Sequence, residues 1–164
     1  MDRLWSPWRY RYVTTASPEK ACIFCAKSAS EDDSGNYVVL RAERNFVLLN
    51  LFPYTNGHMM IAPYRHVASL AEAGRETLDE MMRLTARAEQ ALQEVYHPGG
   101  INLGMNLGEC AGAGVAGHIH MHVLPRWAGD ASFMTTVGET RVLPEELAAT
   151  WARLRAALSA DQRV

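Results

Sequence analysis

The segment His118-Ile119-His120-Met121-His122-Val123-Leu124-Pro125-Arg126 constrains this chain more than any other. Alternate residues of a strand share a face. A strand over His118 to Leu124, stopped by Pro125, therefore projects three imidazoles from one side and Ile119, Met121 and Val123 from the other. The apolar side is expected to be the buried one. Three adjacent imidazoles gain nothing from ordinary packing, so their face reads as a place for chemistry. They could ligate a metal, or one could act as a nucleophile while its neighbours orient it and protonate a leaving group. The loop just before the strand, Asn106 to Gly117, holds Gly108, Gly112, Gly114 and Gly117. Such a loop leaves backbone uncovered, and exposed N–H groups make an anion-binding nest. Together the two features suggest phosphate held next to a histidine nucleophile.

The rest of the chain supplies an ordinary frame. Its 164 residues, 48% hydrophobic and 21% charged, predict one globular domain able to bury a core without disulfides. Sixteen basic and eighteen acidic side chains leave a net charge of −2. That balance argues against a broadly basic nucleic-acid-binding surface while permitting a local anion pocket. No apolar run is long enough to span a bilayer. The first 13 residues are aromatic and basic without the continuous apolar stretch of a signal peptide. Three cysteines, an odd count, suit a reducing compartment. The expected location is cytoplasmic, with neither nucleic acid nor membrane as partner.

Hydrophobic periodicity predicts an α+β fold with mostly antiparallel strands, because the connections are short. Strands are expected at Tyr37 to Leu40, Phe46 to Asn50, His58 to Ala62, Ile101 to Asn106 and His118 to Leu124. The first two are joined by a polar turn. Apolar residues at three- and four-residue steps, from Leu78 through Met81, Met82, Thr85, Ala88 and Leu92 to Val95, predict a helix over Glu76 to Tyr96. His97-Pro98-Gly99-Gly100 stops it. A terminal helix is expected from Pro144 to about Leu158, with Glu145 and Glu146 in its first turn. Residues 14 to 35, including Cys22-Ile23-Phe24-Cys25, read as loop. The Trp-rich segment before them, with Trp5 and Trp8, is expected to pack on the body or on a partner subunit.

His-Ile-His-Met-His-Val-Leu-Pro-Arg, preceded by Asn106-x-Gly108 and Ala111-Gly112, resembles the motif of the histidine-triad (HIT) family. Asn56-Gly57-His58-Met59-Met60-Ile61-Ala62-Pro63 resembles that family's Gly-His-apolar-Pro strand. Several further segments are similar to one branch, the actinobacterial-type diadenosine tetraphosphate phosphorylases. They are Leu4-Trp5-Ser6-Pro7-Trp8-Arg9, Asn50-Leu51-Phe52-Pro53-Tyr54, Pro63-Tyr64-Arg65, Arg126 to Phe133 and Val142-Leu143-Pro144. The resemblance implies a single HIT-like domain over 1–164: an N-terminal extension 1–21, a core 22–127, and a C-terminal loop and helix 128–164. It also implies a five-stranded sheet, one long central helix, a C-terminal helix and a homodimer.

The same resemblance implies residue roles. His120 would attack an α-phosphorus and form a nucleotidyl-histidine intermediate, with His122 and His118 beside it. Asn50 would meet the ribose. Asn106, Gly112, Gly114 and Val115 would lie at the phosphate, with His58 close to His120 or packed behind the triad. Phe24, Phe46 and Leu48 would wall the base, with Ile23 near them. Purine nucleotides (AMP and dinucleoside polyphosphates) and phosphate are the implied partners, and no organic cofactor is expected. Many family hydrolases carry Gly-Gln-Ser/Thr in the loop. This chain has Gly112-Ala113-Gly114, losing a side-chain donor and leaving open whether phosphate or water is the acceptor. Dinucleotide phosphorolysis, phosphoramidate hydrolysis, a nucleotide sensor with little turnover, and a histidine-ligated catalytic metal remain alternatives at this point.

Cys22-x-x-Cys25 alone could be a redox pair, half a metal site or two buried thiols. Some triad proteins add a histidine after the Gly-His strand and the first triad histidine as further ligands. His66 and His118 stand at those positions, so the resemblance implies a structural zinc on Cys22, Cys25, His66 and His118. Four protein ligands leave no open coordination position. Cys110 reads as a small filler of the loop, with a nucleophile as the alternative, and His97 as a helix cap or a solvated side chain.

Overall fold

The computed structural model describes residues 22–131, 133–136 and 143–160. Trp5, Trp8, the rest of segment 1–21, Ser132 and Val142 lie outside the described residues. Among those described, the elements run α1 (Ile23–Ala29), α2 (Asp33–Asn36), β1 (Val38–Arg41), β2 (Asn45–Leu49), β3 (Met59–Pro63), α3 (Leu70–Ala73), α4 (Arg75–Tyr96), β4 (Gly100–Gly104), a 3-10 turn (Glu109–Ala111), β5 (Met121–Arg126), α5 (Phe133–Thr136) and α6 (Leu147–Ala160). The strands form one sheet in the order β1-β2-β3-β5-β4, and every pairing is antiparallel. The fold is α+β, as expected.

Both faces of β2 and β3 are covered, and the period of two explains how. Val47 and Leu49 of β2 and Met59 and Ile61 of β3 point into the main core with Met81, Leu84, Ala88 and Leu92 of α4 and Leu154 and Leu158 of α6. The residues between them, Phe46, Leu48, Met60 and Ala62, point the other way, into a second cluster closed by Phe24 of α1 and Val38. A strand buried on both faces reads as a continuous apolar run, as Phe46 to Leu49 does.

Three expectations are corrected. Cys22-Ile23-Phe24-Cys25 opens a helix, because Phe24 gains burial by closing the second cluster. Met82 is 55% exposed, so Met81 alone of that pair belongs to the buried stripe of α4, with Leu84 and Ala91 completing it. The terminal helix begins at Leu147, three residues later than expected, and Pro144, Glu145 and Glu146 precede it. Glu145 folds its carboxylate back onto the helix, accepting from Thr150 Oγ1 at 2.7 Å and Arg153 Nη1 at 2.7 Å, and also bonds the Tyr96 hydroxyl of α4.

Two devices hold the frame around the site. Glu80 of α4 is buried and accepts from the backbone N–H of Glu43 (3.1 Å) and Arg44 (2.9 Å) and from Asn45 Nδ2 (2.7 Å), pinning the β1–β2 turn to the helix. Trp151 Nε1 and Arg155 Nη1 both donate to the Val38 carbonyl, at 2.8 and 3.1 Å, and cover the β1 edge of the sheet. His97 ends α4 in the left-handed conformation, φ 44°, its N–H donating to the Gln93 carbonyl.

Candidate active site and metal centre

β5 begins at Met121, so His118 to His120 lead into the strand instead of forming its first half. This approach segment is anchored by Ile119 N–H donating to the Val67 carbonyl at 2.9 Å. Pro125 lies inside the strand, which ends at Arg126. The expectation that only the apolar side is buried is also corrected. His118 and His120 are 0% and 6% exposed, whereas Met121 is half-buried. α1 supplies the cover: the Phe24 ring centroid lies 5.1 Å from that of His118 and 4.7 Å from that of His120.

The hydrogen bonds assign the imidazole protons. His120 Nδ1 lies 2.9 Å from the His118 carbonyl oxygen. A carbonyl only accepts, so Nδ1 carries the proton and Nε2 carries the lone pair. Among the described residues Nε2 of His120 has no hydrogen-bond partner. Burial pushes the His120 pKa down, which keeps that lone pair available at neutral pH.

A second relay lies beside it. The Tyr54 backbone N–H, which can only donate, reaches His58 Nδ1 at 3.2 Å. The proton of neutral His58 is therefore on Nε2, which lies 2.9 Å from His122 Nδ1. His122 accepts there and holds its own proton on Nε2. His58 thus pairs with His122. Gly57 makes this possible: its φ is +79°, and a Cβ there would come within 2.9 Å of Leu92 and 3.2 Å of Tyr96. Only a residue without a side chain brings the backbone close enough to α4 to aim His58 at the triad.

The glycine loop is partly self-satisfied. Gly112 N–H donates to the Glu109 carbonyl and Ala113 N–H to the Gly108 carbonyl, while Asn106 Nδ2 donates to the Gly112 carbonyl at 3.3 Å. Among the described residues the amides of Gly114, Val115, Ala116 and Gly117 have no internal acceptor, so the N–H groups open to an anion are those nearest His118. Asn50 lies with Nδ2 3.4 Å from His58 Nδ1 and takes the Phe52 N–H on Oδ1. Phe24, Phe46 and Leu48 are fully buried in the second cluster, with Val115 packed on its edge. Ile23 is exposed.

Cys22, Cys25, His66 and His118 converge, with all four ligand atoms within 4.8 Å of one another. The separations are 3.3 Å for Cys22 Sγ to His118 Nδ1, 3.3 Å for Cys25 Sγ to His66 Nδ1 and 3.7 Å for Cys25 Sγ to His118 Nδ1. A tetrahedral zinc with ordinary bond lengths holds sulfur and nitrogen ligands about 3.6 Å apart, so the donor set fits. The second shell fits too. His118 Nε2–H donates to the Pro63 carbonyl at 2.8 Å, which leaves the Nδ1 lone pair facing the sulfurs. Burial, then the neighbouring Cys22 thiol, raise the Cys25 pKa. A coordinated cation reverses that penalty by stabilising the thiolate.

Residues 32–129 match the family model of the HIT domain, more than half of the chain. The chain belongs to the HIT family. A protein of Mycobacterium tuberculosis H37Rv named AP-4-A phosphorylase is 36% identical to it, the match covering 93% of this chain and 86% of the relative. Among solved structures, a Zn-bound histidine triad family protein from Mycobacterium smegmatis superposes with a TM-score of 0.69 at 31% identity, over 85% of this chain and 94% of that one. A hypothetical histidine triad nucleotide-binding protein from Sulfolobus tokodaii gives a TM-score of 0.70 at 25% identity, covering 87% and 95%.

In this HIT chain a nucleophilic histidine calls for a carbonyl on its other ring nitrogen, but the sequence does not say which backbone atoms serve. The His118 and Pro63 carbonyls and the Tyr54 N–H fix the tautomers of His120, His118 and His58. A sequence carries no mark for a main-chain partner. The His58–His122 pair had a signal, the Gly57-His58 strand start, but its partner depends on β3 lying beside β5. His97 and Cys110 lie outside the constellation: the first caps α4 and the second is exposed in the 3-10 turn. Among the described residues no helix is long and apolar enough to cross a membrane.

Proposed function

We propose that this HIT protein transfers a nucleotidyl group through a covalent intermediate on His120, using a dinucleoside polyphosphate as donor. Phosphorolysis of diadenosine tetraphosphate to ATP and ADP is its sharpest form. The observation that carries the reading is the His120 Nδ1 bond to the His118 carbonyl, which leaves a neutral, buried Nε2 as nucleophile. Nε2 attacks an α-phosphorus and the P–O bond to the β-phosphate breaks. ATP leaves, its oxygen receiving the proton that His122 carries on Nε2. Phosphate then displaces AMP from His120 as ADP. The unsatisfied amides from Gly114 to Gly117 stabilise charge on the equatorial oxygens. Similarity to the protein named AP-4-A phosphorylase supports phosphate as acceptor.

In this reading Asn50 binds the ribose and Asn106 shapes the phosphate loop. Phe24 lies at the base, backed by Phe46 and Leu48. Zinc on Cys22, Cys25, His66 and His118 is structural, holding α1 against the triad segment. The enzyme works as a cytoplasmic homodimer on purine nucleotides and phosphate.

The test is incubation with diadenosine tetraphosphate and phosphate, with products separated by chromatography. ATP and ADP are expected in equal amounts, and His120→Ala should abolish both. A folded His120→Ala protein with unchanged turnover refutes the mechanism. ATP and AMP formed at a rate independent of phosphate would make water the acceptor.

A further inference from the structure

The metal cluster is wired to the nucleophile more closely than a structural clamp requires. His118 gives its ring to the cluster and its carbonyl to His120 Nδ1. Phe24, between the two cysteines in sequence, lies against the rings of both His118 and His120. Gly117, at the end of the loop with unsatisfied amides, sits so close to His66 that a Cβ there would lie 3.3 Å from its Nε2. The cluster also holds two sulfurs within 4.8 Å of each other, on residues that are only half-buried. Cys22 is the cap residue before α1: its backbone is non-helical (φ −55°, ψ 122°) and its carbonyl accepts the Ala26 N–H at 3.0 Å, while its side chain caps nothing and can turn toward Cys25 without breaking that bond.

We propose that Cys22 and Cys25 are a peroxide-responsive thiol switch, in which their oxidation to a disulfide releases the zinc and unclamps the His118–His120 segment. The step balances. One thiolate attacks a peroxide oxygen, the O–O bond breaks, and a sulfenic acid and hydroxide form. The second thiolate attacks that sulfur, the S–S bond forms, the S–O bond breaks and a second hydroxide leaves. Two solvent protons convert the hydroxides to water, so two sulfurs are oxidised while one hydroperoxide is reduced. A neighbouring thiol traps the sulfenic acid before it oxidises further. Once the sulfurs are joined, His66 and His118 are the only ligands left of the four that a closed zinc site needs.

The consequence for turnover rests on the nucleotidyl-transfer reading; the zinc and thiol readouts do not. Full-length zinc-loaded protein is treated with hydrogen peroxide, with a chromogenic chelator reporting zinc and non-reducing peptide mass spectrometry reporting the thiols. The expected result is one zinc released per chain, in step with a Cys22–Cys25 peptide lighter by two hydrogens. A thiol reductant with added zinc should reverse both. ATP release should fall on the same time course. Cys110→Ser should keep the zinc release and the bridge. Retained zinc after Cys110 has oxidised overturns the proposal, as do sulfinic acids at Cys22 or Cys25 without a bridge. Zinc loss with full turnover, or a protein that takes up no zinc on reconstitution, overturns it as well. Bridge and zinc are read without nucleotide, so a chain inactive on the dinucleotide leaves the switch itself testable.

Discussion

Replacing His58 by Phe measures what the His58–His122 bond does. The substitution keeps the ring in a site that is 1% exposed and removes both nitrogens. It deletes the 2.9 Å bond to His122 Nδ1, the 3.2 Å bond from the Tyr54 N–H and the 3.4 Å contact from Asn50 Nδ2. If His58 acts by fixing the His122 tautomer, the loss in transition-state stabilisation is one net hydrogen bond, about 1 kcal/mol. That corresponds to a drop of about fivefold in kcat/KM. The fall should lie in kcat, because the tautomer matters when the leaving oxygen takes its proton. Loss of these bonds should cost about 1–3 kcal/mol of stability. Initial rates of ATP release with excess phosphate give the first quantity, and urea denaturation followed by circular dichroism gives the second. Unchanged kcat/KM in a folded variant would refute the orienting role. A fall beyond about a thousandfold, in the range of a lost general acid, would show that His58 itself moves the proton.

Other outcomes follow from the same geometry. Glu80→Gln places an NH2 group where three donors converge on a carboxylate, and should destabilise the chain by about 3 kcal/mol in urea titration. Zinc removal by a strong chelator should lower Tm by about 10 °C in calorimetry, on the footing that ligand at a thousandfold its Kd adds about 4 kcal/mol. The Glu145 pKa is lowered: burial raises it, but bonds from Tyr96, Thr150 and Arg153 outweigh that. Its stabilising contribution is therefore full above the ordinary Glu value and lost as pH falls through the lower folded value. Glu145→Gln should flatten that acid limb of a stability–pH curve. Its partner Tyr96, pushed up to about 12 by burial first and then by Glu145, should show no phenolate absorbance at pH 10.

Where local pattern and tertiary demand agreed, the sequence was legible. The long helix and its stop at His97 were readable, because one amphipathic stripe and one terminator acted together. The five strands were readable as short apolar or alternating runs between breakers. The cysteine pair was misread as loop because its helix exists to carry Phe24 over the histidines, a need that arises only once β5 is in place. Met82 was misread because a stripe drawn at three- and four-residue steps does not reveal where the covered arc ends. The start of the terminal helix was misread because Glu145 bonds Tyr96 from a distant helix instead of serving as a first-turn acid.

The sequence by itself determined the chemistry available: three alternating imidazoles, a glycine loop, a Gly-His strand, and two cysteines with two histidines of the right kinds. Side-chain identity and spacing are local properties, and a chain states them outright. Only the tertiary structure decided which nitrogen of each imidazole holds the proton. That choice rests on the His118 and Pro63 carbonyls, the Tyr54 N–H and the His58–His122 pair. These partners come from the backbone or from strands far apart in the chain. An imidazole has two nearly equivalent nitrogens, so its role is set by whatever the fold places against them.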